Sequence, residues 1–462
     1  MVPRASFARA ARRTLRSQCS HTPNNRRTLA SAKSAGYSYE TGEVNGIKFA
    51  SRDIPGPTTQ LALVARAGTR FQLFPGFAEG LEKFAFKSTH KRSSLRITRE
   101  AELLGAELFA YHSRENLVIG AKFLREDLPY FTELLGEVVS KTRFTRHELH
   151  EEVIRVIKLN QKSILANTDQ MALNSAHSVA FHRGLGTALH PTSSVPITQY
   201  LHEQELATFS QAAYAKPNFA IVANGASHDE LERWIGEFYS DSPATPPSDF
   251  PAIETKPSKY YGGEERIAHD GGNNMIIAFP GSGAYTGGHY KPEIAVLSSL
   301  LGGQSYIKWS PGFSLLARAC KAQTQAHVST RNLSYSDAGL LTISMEGKAS
   351  HIREASQAVV EILKAISGGD IEKDDIQKAI AKAKFRTLEA GQNIGTGLEL
   401  TGAGLVQSGK PSNLDGIAEA IEGVTEDAVK KAAKSLLEGK ATVSTVGDLF
   451  VLPFAEEIGL HV

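Results

Sequence analysis

The sequence has 462 residues but only two cysteines, Cys19 and Cys320. Two cysteines are too few for the disulfide framework that holds small secreted domains together. The chain also lacks an uninterrupted apolar run of about 18 residues, so it predicts no transmembrane helix. With 51 basic and 49 acidic residues the net charge is only +2, so charge does not indicate nucleic acid as a partner.

Acidic residues are absent from the start of the chain until Glu40, whereas arginine and serine are frequent there. This composition is typical of a mitochondrial transit peptide, and a disordered basic tail is the alternative. The tripeptide Arg27-Thr28-Leu29 resembles a matrix processing site, which predicts a transit peptide at 1–29 and a mature chain that begins near Ala30. Cleavage there removes Cys19 and leaves no internal disulfide, as suits a reducing compartment.

From about residue 40 the chain alternates strand-like and helix-like segments in two halves of the same plan. In the first half we predict strands at 59–68, 117–124 and 219–225, and helices at 77–88, 97–106, 126–140 and 227–239. In the second half we predict strands at 274–281, 339–347 and 441–448, and helices at 291–303 and 350–366. The similar segments that start at Tyr111 and Tyr335 lie 224 positions apart, and the two closing strands have nearly the same spacing, which indicates a duplication.

A proline-rich stretch separates the halves. Residues 240–259 hold five prolines, and proline disfavours both helices and central strands, so we predict a linker there. The predicted domains are therefore an N-terminal domain at 30–239 and a C-terminal domain at 260–462. The predicted fold class is α+β, with two duplicated domains that each have a largely antiparallel sheet and helices packed on one face.

The segment GFAEGLEKFAFKST at 76–89 has the outline of a metallopeptidase's active-site helix. Together with RHELHEEVIRVI at 146–157 and the two-domain repeat, it resembles the pitrilysin superfamily, which includes the mitochondrial processing peptidase and the core proteins of respiratory complex III. Active members carry an inverted zinc motif, H-x-x-E-H, on a helix of the first domain. Both histidines bind zinc from one helix face, and the glutamate activates the metal-bound water. A distant glutamate is the third ligand.

When this resemblance is transferred position by position, Glu79 and Lys83 replace the two histidines, Glu82 matches the base, and His150 replaces the distant glutamate. Only Glu82 is kept. An ammonium group has no lone pair to donate, and lysine is not an ordinary zinc ligand. The resemblance therefore implies no metal, no cofactor and no catalytic residue, with Glu82 as a retained base position that lacks a metal.

Two further interpretations of these residues are open. In one, Glu79, Glu82, His147 and His150 form a shifted metal cluster, although histidines near glutamates on an amphipathic helix more often belong to a solvated face. In the other, Glu79 and Lys83 form a pair four positions apart, in the order that stabilises an exposed helix by about 0.2–0.5 kcal/mol. The second interpretation predicts that the helix at 77–88 is exposed.

In the second half, the segments at 300–323 and 332–341 resemble the complex III core proteins of this family, fungal forms in particular. At this place the regulatory subunit of the processing peptidase has a long glycine loop that handles precursor peptides. Here Gly302, Gly303 and Gly312 flank the bulky residues 306–309, and such a loop cannot flex in the same way. We therefore expect two ordinary turns.

The glycine-spaced stretch GQNIGTGLELTGAGL at 391–405 follows no predicted strand. A nucleotide-binding fingerprint requires a preceding strand, so this function is not indicated. Close packing of a helix against a neighbour explains the glycines better.

The resemblance implies a non-catalytic structural core subunit of complex III, ubiquinol-cytochrome c reductase, needed for assembly and stability of the complex in respiratory electron transport. The implied partners are a core protein 1 homologue, cytochrome b and the other subunits of a complex III dimer, with no nucleic acid. The implied location is the matrix side of the mitochondrial inner membrane, peripheral to the bilayer. The alternatives are the regulatory, zinc-free subunit of a mitochondrial processing peptidase and a free matrix binding module.

Overall fold

The computed structural model describes residues 38–246, 257–304, 312, 314–323 and 326–462. Residues Tyr39–Val462 form one compact unit. Three predicted features lie outside the described residues: the transit peptide at 1–29, positions 247–256 of the linker, and the bulky residues 306–309. Within the described part, no helix is long and apolar enough to cross a membrane.

A six-stranded sheet forms the centre of the first half. Its strands are β1 (Glu40–Val44), β2 (Ile47–Arg52), β3 (Thr58–Ala65), β4 (Glu107–His112), β5 (Leu117–Leu124) and β6 (Phe219–Asn224). They lie in the order β1-β2-β6-β3-β5-β4, with β2 and β6 parallel and the other neighbours antiparallel. Every residue of β6 is buried, because this apolar strand is covered on both faces of the sheet.

The second half repeats this arrangement with five strands. They are β7 (Gly263–Ala268), β8 (Asn273–Pro280), β9 (His327–Ser334), β10 (Gly339–Gly347) and β11 (Thr442–Gly447). Their order is β7-β11-β8-β10-β9, which is the order of the first sheet without β1. The pair β7 and β11 is parallel and the rest are antiparallel. The predicted duplication and α+β class are confirmed.

Helices cover both sheets. Those of the first half are α1 (Phe77–Phe84), α2 (Ser94–Leu103), α3 (Leu128–Ser140), α4 (Ile154–Leu165), α5 (Thr168–Phe181), α6 (Ser194–Tyr200), α7 (Glu203–Ala213) and α8 (His228–Phe238). Those of the second half are α9 (Pro292–Leu301), α10 (Leu315–Gln323), α11 (Ala349–Gly368), α12 (Lys373–Gln392), α13 (Ile394–Ser408), α14 (Leu414–Glu422) and α15 (Glu426–Glu438). Helix α1 ends four residues before its predicted end, next to Phe86, whose φ is 63°.

Local sequence accounts for many of these boundaries. At the start of α8 the side chain of Ser227 accepts a hydrogen bond from the backbone N–H of Glu230 at 3.3 Å, as its Ser-x-x-Glu pattern predicts. Leu231 and Ile235 then bury the inner face of the helix. The spacing of these two residues, one helical turn, directs both side chains into the same core.

Each half also contributes one helix to the opposite half, a feature that the sequence does not predict. Helix α5 packs on β8 and β11, on the sheet face that carries Ile276 and Ala278, while α13 packs on β2, β3 and β6. A Cβ atom at Gly402 of α13 would lie only 2.4 Å from Cγ2 of Val64. The expectation that the glycines at 391–405 serve close helix packing is therefore confirmed.

A buried ionic cluster joins the two halves. The guanidinium group of Arg70 donates to both carboxylate oxygens of Asp337 at 2.7 Å and to Glu115 Oε1 at 2.6 Å. Glu115 also accepts hydrogen bonds from the backbone N–H of Ser336 at 2.9 Å and from its hydroxyl group at 2.6 Å. Burial disfavours the charged form of Arg70, but hydrogen bonds and charges from Asp337 and Glu115 outweigh it and raise the pKa of Arg70. The loop between β9 and β10 is thereby fixed to loops of the first half.

Candidate functional site

Helix α1, which carries the degenerate zinc motif, is part of the core. Every residue of it except Lys83 is buried. The lack of a side chain at Gly80 permits this packing, because a Cβ atom there would lie 3.1 Å from Leu201 Cδ1. The expectation of an exposed helix with a Glu79–Lys83 pair is therefore wrong. Glu79 is 1% exposed and faces the interior, so Lys83 forms its ion pair with Glu82 instead.

Glu82, at the base position, is held by two donors. Lys83 Nζ and His112 Nδ1 both contact its carboxylate, and His112 Nε2 lies 2.8 Å from the carbonyl oxygen of Leu189. Both ring nitrogens of His112 thus face oxygen atoms, so the ring bridges Glu82 and the loop before α6. Burial opposes ionisation of Glu82, but the hydrogen bonds and charges of His112 and Lys83 outweigh it and lower the pKa of Glu82. Such a carboxylate is a weak proton acceptor.

Glu79, at the position of the first zinc-binding histidine, completes the same polar cluster. Asn160 of α4 donates its side-chain amide N–H to Glu79 Oε1 at 3.0 Å. On the other side of Glu79, His190 Nδ1 lies 3.2 Å from Glu79 Oε2. The two groups form an ion pair when the ring is protonated, but the two atoms are not aligned for a hydrogen bond. The ring of His190 packs edge-on against that of His112, with 5.1 Å between the centroids. The cluster thus combines residues of α1, β4, α4 and the loop before α6.

The structure does not bring His150 to this cluster. His150 lies in a π-helical turn, Glu148–Val153, directly before α4, and its side chain and that of His147 are exposed. Glu148 is the buried carboxylate of this turn, and it accepts a hydrogen bond from the Ser88 hydroxyl group at 2.6 Å. On this part of the chain the residue opposite Glu79 is Asn160, not His150.

The side chains around α1 do not fit zinc. Within the described part of the chain, no group of three or more His, Cys, Asp or Glu is placed to hold a metal ion. The ammonium group of Lys83 is paired with Glu82, and the amide of Asn160 donates to Glu79, whereas zinc sites are built from thiolate, imidazole and carboxylate groups. The arrangement is a set of internal ion pairs and hydrogen bonds that fixes α1 in the core.

Three members of the cluster, His112, Asn160 and His190, were not identified by sequence reasoning. Asn160 lies ten positions after His150, on the helix that directly follows the turn in which the sequence placed the third ligand position. No sequence signal marks His112 or His190, because each lies at a strand end or in a loop and reaches α1 only through the packing of β4 and the loop before α6.

The glycine segment of the second half is anchored at its described end. Gly302 has a φ of 64°, Gly303 pairs with Ser329 of β9, and the Gly303 N–H donates to the Ser314 hydroxyl oxygen at 3.0 Å. A Cβ atom at Gly303 would lie 2.4 Å from the carbonyl oxygen of Val328. This end of the segment therefore packs tightly against the sheet, whereas most of the two expected turns lies outside the described residues.

Comparison with known proteins agrees with these observations. Residues 48–193 match the family described as insulinase, peptidase family M16, and residues 200–383 match the peptidase M16 inactive domain. A protein of Neurospora crassa named cytochrome b-c1 complex subunit 2, mitochondrial, is 50% identical over the full length of both chains. Proteins of the same name from Cryptococcus neoformans and Schizosaccharomyces pombe are each 34% identical, over 91% and 92% of this chain and 93% and 96% of their own.

These relatives confirm the resemblance to the pitrilysin superfamily and, within it, to core proteins of fungi. The similarity to the Neurospora crassa protein covers the whole chain, so it extends over both sheets and over α1. The chain therefore belongs to the M16 peptidase superfamily and, within it, to the family of mitochondrial cytochrome b-c1 complex subunit 2, also known as core protein 2.

Proposed function

We propose that this chain is a non-catalytic structural core subunit of the mitochondrial cytochrome b-c1 complex, complex III of the respiratory chain, and that it supports assembly and stability of that complex. The observation that carries the proposal is full-length similarity to proteins of this name. The state of α1 supports it, since the retained base Glu82 is bound by Lys83 and His112. A peptidase of this superfamily requires a metal-bound water in place of those contacts.

As a subunit of complex III, the chain associates with other subunits of the complex. We further propose a core protein 1 homologue and cytochrome b as its partners, within a complex III dimer, and a peripheral position on the matrix side of the inner membrane. Family resemblance and the acid-free start of the sequence support these finer proposals. We also propose the domain boundaries predicted above, with cleavage after Leu29.

The surface supports a role in assembly. Several large apolar side chains are exposed on the isolated chain, among them Leu103 at 85% and Phe450 at 100%. Permanent complexes commonly bury about 2,000 Å² or more and are more apolar than transient ones, so exposed apolar groups of this kind are expected on a subunit seen without its partners.

The test compares deletion of the chain with Glu82→Gln in mitochondria, by native gel electrophoresis with activity staining. We expect deletion to deplete assembled complex III, because subunits that stabilise one another leave their partners open to unfolding and proteolysis. Glu82→Gln keeps an acceptor for His112 and should leave quinol-cytochrome c reductase turnover unchanged. The matched control is Glu152→Gln, which removes an exposed carboxylate paired with Lys87.

An opposite result has a defined meaning. If Glu82→Gln abolishes presequence cleavage while complex III stays intact after deletion of the chain, the scaffold function is wrong. The regulatory subunit of a processing peptidase then takes its place.

A further inference from the structure

An open groove of about 670 Å³ lies along the outer face of α4. Its lining residues come from α4 and the π-helical turn before it, and they are His150, Glu151, Ile154, Arg155, Lys158, Leu159 and Lys162. The degenerate zinc cluster is on the opposite side of this helix, where Asn160 contacts Glu79. The groove is therefore separate from the cluster around α1.

The charge of this groove is unbalanced. Arg155, Lys158 and Lys162 are all exposed, and Glu151 is the single acidic residue in the lining. None of the three cations makes an ion pair with any residue that the structure describes, whereas the nearby Lys87 pairs with Glu152. The groove thus offers three free positive charges along about two turns of one helix.

Apolar side chains lie between these cations. Leu159 is 57% exposed and Val156 is 39% exposed, and Ile154 contributes to the floor of the groove. A surface that combines exposed leucine with free basic groups suits an amphipathic segment that carries carboxylates.

The duplication provides an internal comparison. A second groove, of about 380 Å³, lies along α12, and its residues Ile380, Lys384 and Phe385 follow Ile154, Lys158 and Leu159 at a constant offset of 226 positions. In the second half the chain itself supplies a carboxylate, because Glu422 at the end of α14 pairs with Lys384. No described residue does the same for Lys158.

We propose that the groove on α4 binds an acidic amphipathic segment of another polypeptide, with carboxylates on Arg155, Lys158 and Lys162 and an apolar side chain over Leu159. This segment takes the place that α14, with Glu422, occupies beside α12. The inference rests on the proposed function, since the partner is a subunit present in the assembled complex. The Lys384–Glu422 pair at the corresponding place in the second half favours a peptide carboxylate over a lipid headgroup.

The experiment treats the detergent-purified complex with a carbodiimide, which joins lysine amines directly to carboxylates in contact with them, and locates the cross-links by mass spectrometry. We expect Lys158 and Lys162 to be joined to Asp or Glu of a second polypeptide, in a segment that also contains apolar residues. The Lys384–Glu422 pair is the internal control, because it should cross-link within this chain.

Variants test the same contact by retention. Lys158→Glu combined with Lys162→Glu should lower the amount of chain that stays with the complex in a moderate-salt wash by about tenfold, since two attractive pairs become repulsive. The matched control is Lys431→Glu with Lys434→Glu, the same change of charge on exposed positions of α15, and it should have little effect. Equal thermal midpoints of the two purified double variants exclude a folding defect as the cause.

The possible failures are distinguishable. If the unmodified chain does not co-purify with complex III, the proposed function is wrong. The groove proposal alone is wrong if the chain co-purifies and the Lys384–Glu422 control cross-link forms, but Lys158 and Lys162 give no cross-link to another polypeptide. Retention that depends on Lys158 and Lys162 only while anionic lipid is present assigns the groove to lipid and also overturns the proposal.

Discussion

Replacement of Arg70 by methionine tests whether the ionic cluster between the two halves stabilises the fold. The Arg70 side chain is 4% exposed, and its partners Glu115 and Asp337 are 7% and 23% exposed. Methionine fills much of the same volume but removes the cation. Glu115 is then left as a buried carboxylate that keeps only the hydrogen bonds from Ser336.

Removal of one partner from a buried ion pair costs about 3–5 kcal/mol. The lower end applies here, because Asp337 is partly exposed and keeps a hydrogen bond from the backbone N–H of Ser258 at 2.7 Å. With an unfolding entropy of about 2.1 cal/mol/K per residue, a unit as large as Tyr39–Val462 loses roughly 1 °C of thermal midpoint per kcal/mol. We therefore expect Arg70→Met to lower the midpoint by about 3 °C.

The assay is differential scanning calorimetry of the purified chain, with Arg125→Met as the matched control. Arg125 pairs with Asp53 at 2.9 Å, but both side chains are substantially exposed, so this change should cost less than about 1 kcal/mol. A double-mutant cycle of Arg70→Met with Asp337→Asn should give a coupling free energy of about 2 kcal/mol. Effects that add to within about 0.5 kcal/mol, or an Arg70→Met shift no larger than the control, would refute the reasoning.

Three further predictions concern metal, processing and pH. Elemental analysis after dialysis against a mild chelator should find zinc well below one per chain, and one zinc that is lost on changing Glu79 would contradict the site description. Mass spectrometry of the native N-terminus should find a mature chain that begins near Ala30, and a mature form that retains Arg4 would disprove it. The ring of His177 lies between the Leu173 carbonyl oxygen at 2.7 Å and the Tyr335 hydroxyl group at 2.8 Å. Burial is the larger cause, and the charge of Arg114 the smaller one, that lowers the pKa of His177 well below its ordinary value of 6.5. The unfolded chain therefore binds this proton first, so the thermal midpoint should fall as pH drops below about 6.5, and His177→Gln should flatten that dependence; an unchanged slope would remove His177 as the cause.

Sequence patterns predicted most of the secondary structure because the relevant signals are local. The strands at 117–124 and 339–347 have their predicted boundaries, since apolar β-forming runs end at charged or glycine positions in both. The cap at Ser227 was equally readable from four consecutive residues. The burial of α1 could not be predicted in this way, because the same spacing of Glu79 and Lys83 fits both an exposed and a buried helix.

By itself the sequence determined the duplicated α+β plan and the family, and it predicted the loss of the zinc ligands, since each depends on residue identity and spacing along the chain. Only the tertiary structure decided which residues surround Glu79 and Glu82. His112, Asn160 and His190 come from separate elements and meet there because β4, α4 and a loop pack around α1. The tertiary structure also decided that α5 and α13 each cover the sheet of the other half. This packing depends on complementary shapes of surfaces that are distant in sequence, such as Gly402 against Val64, and local periodicity does not encode such shapes.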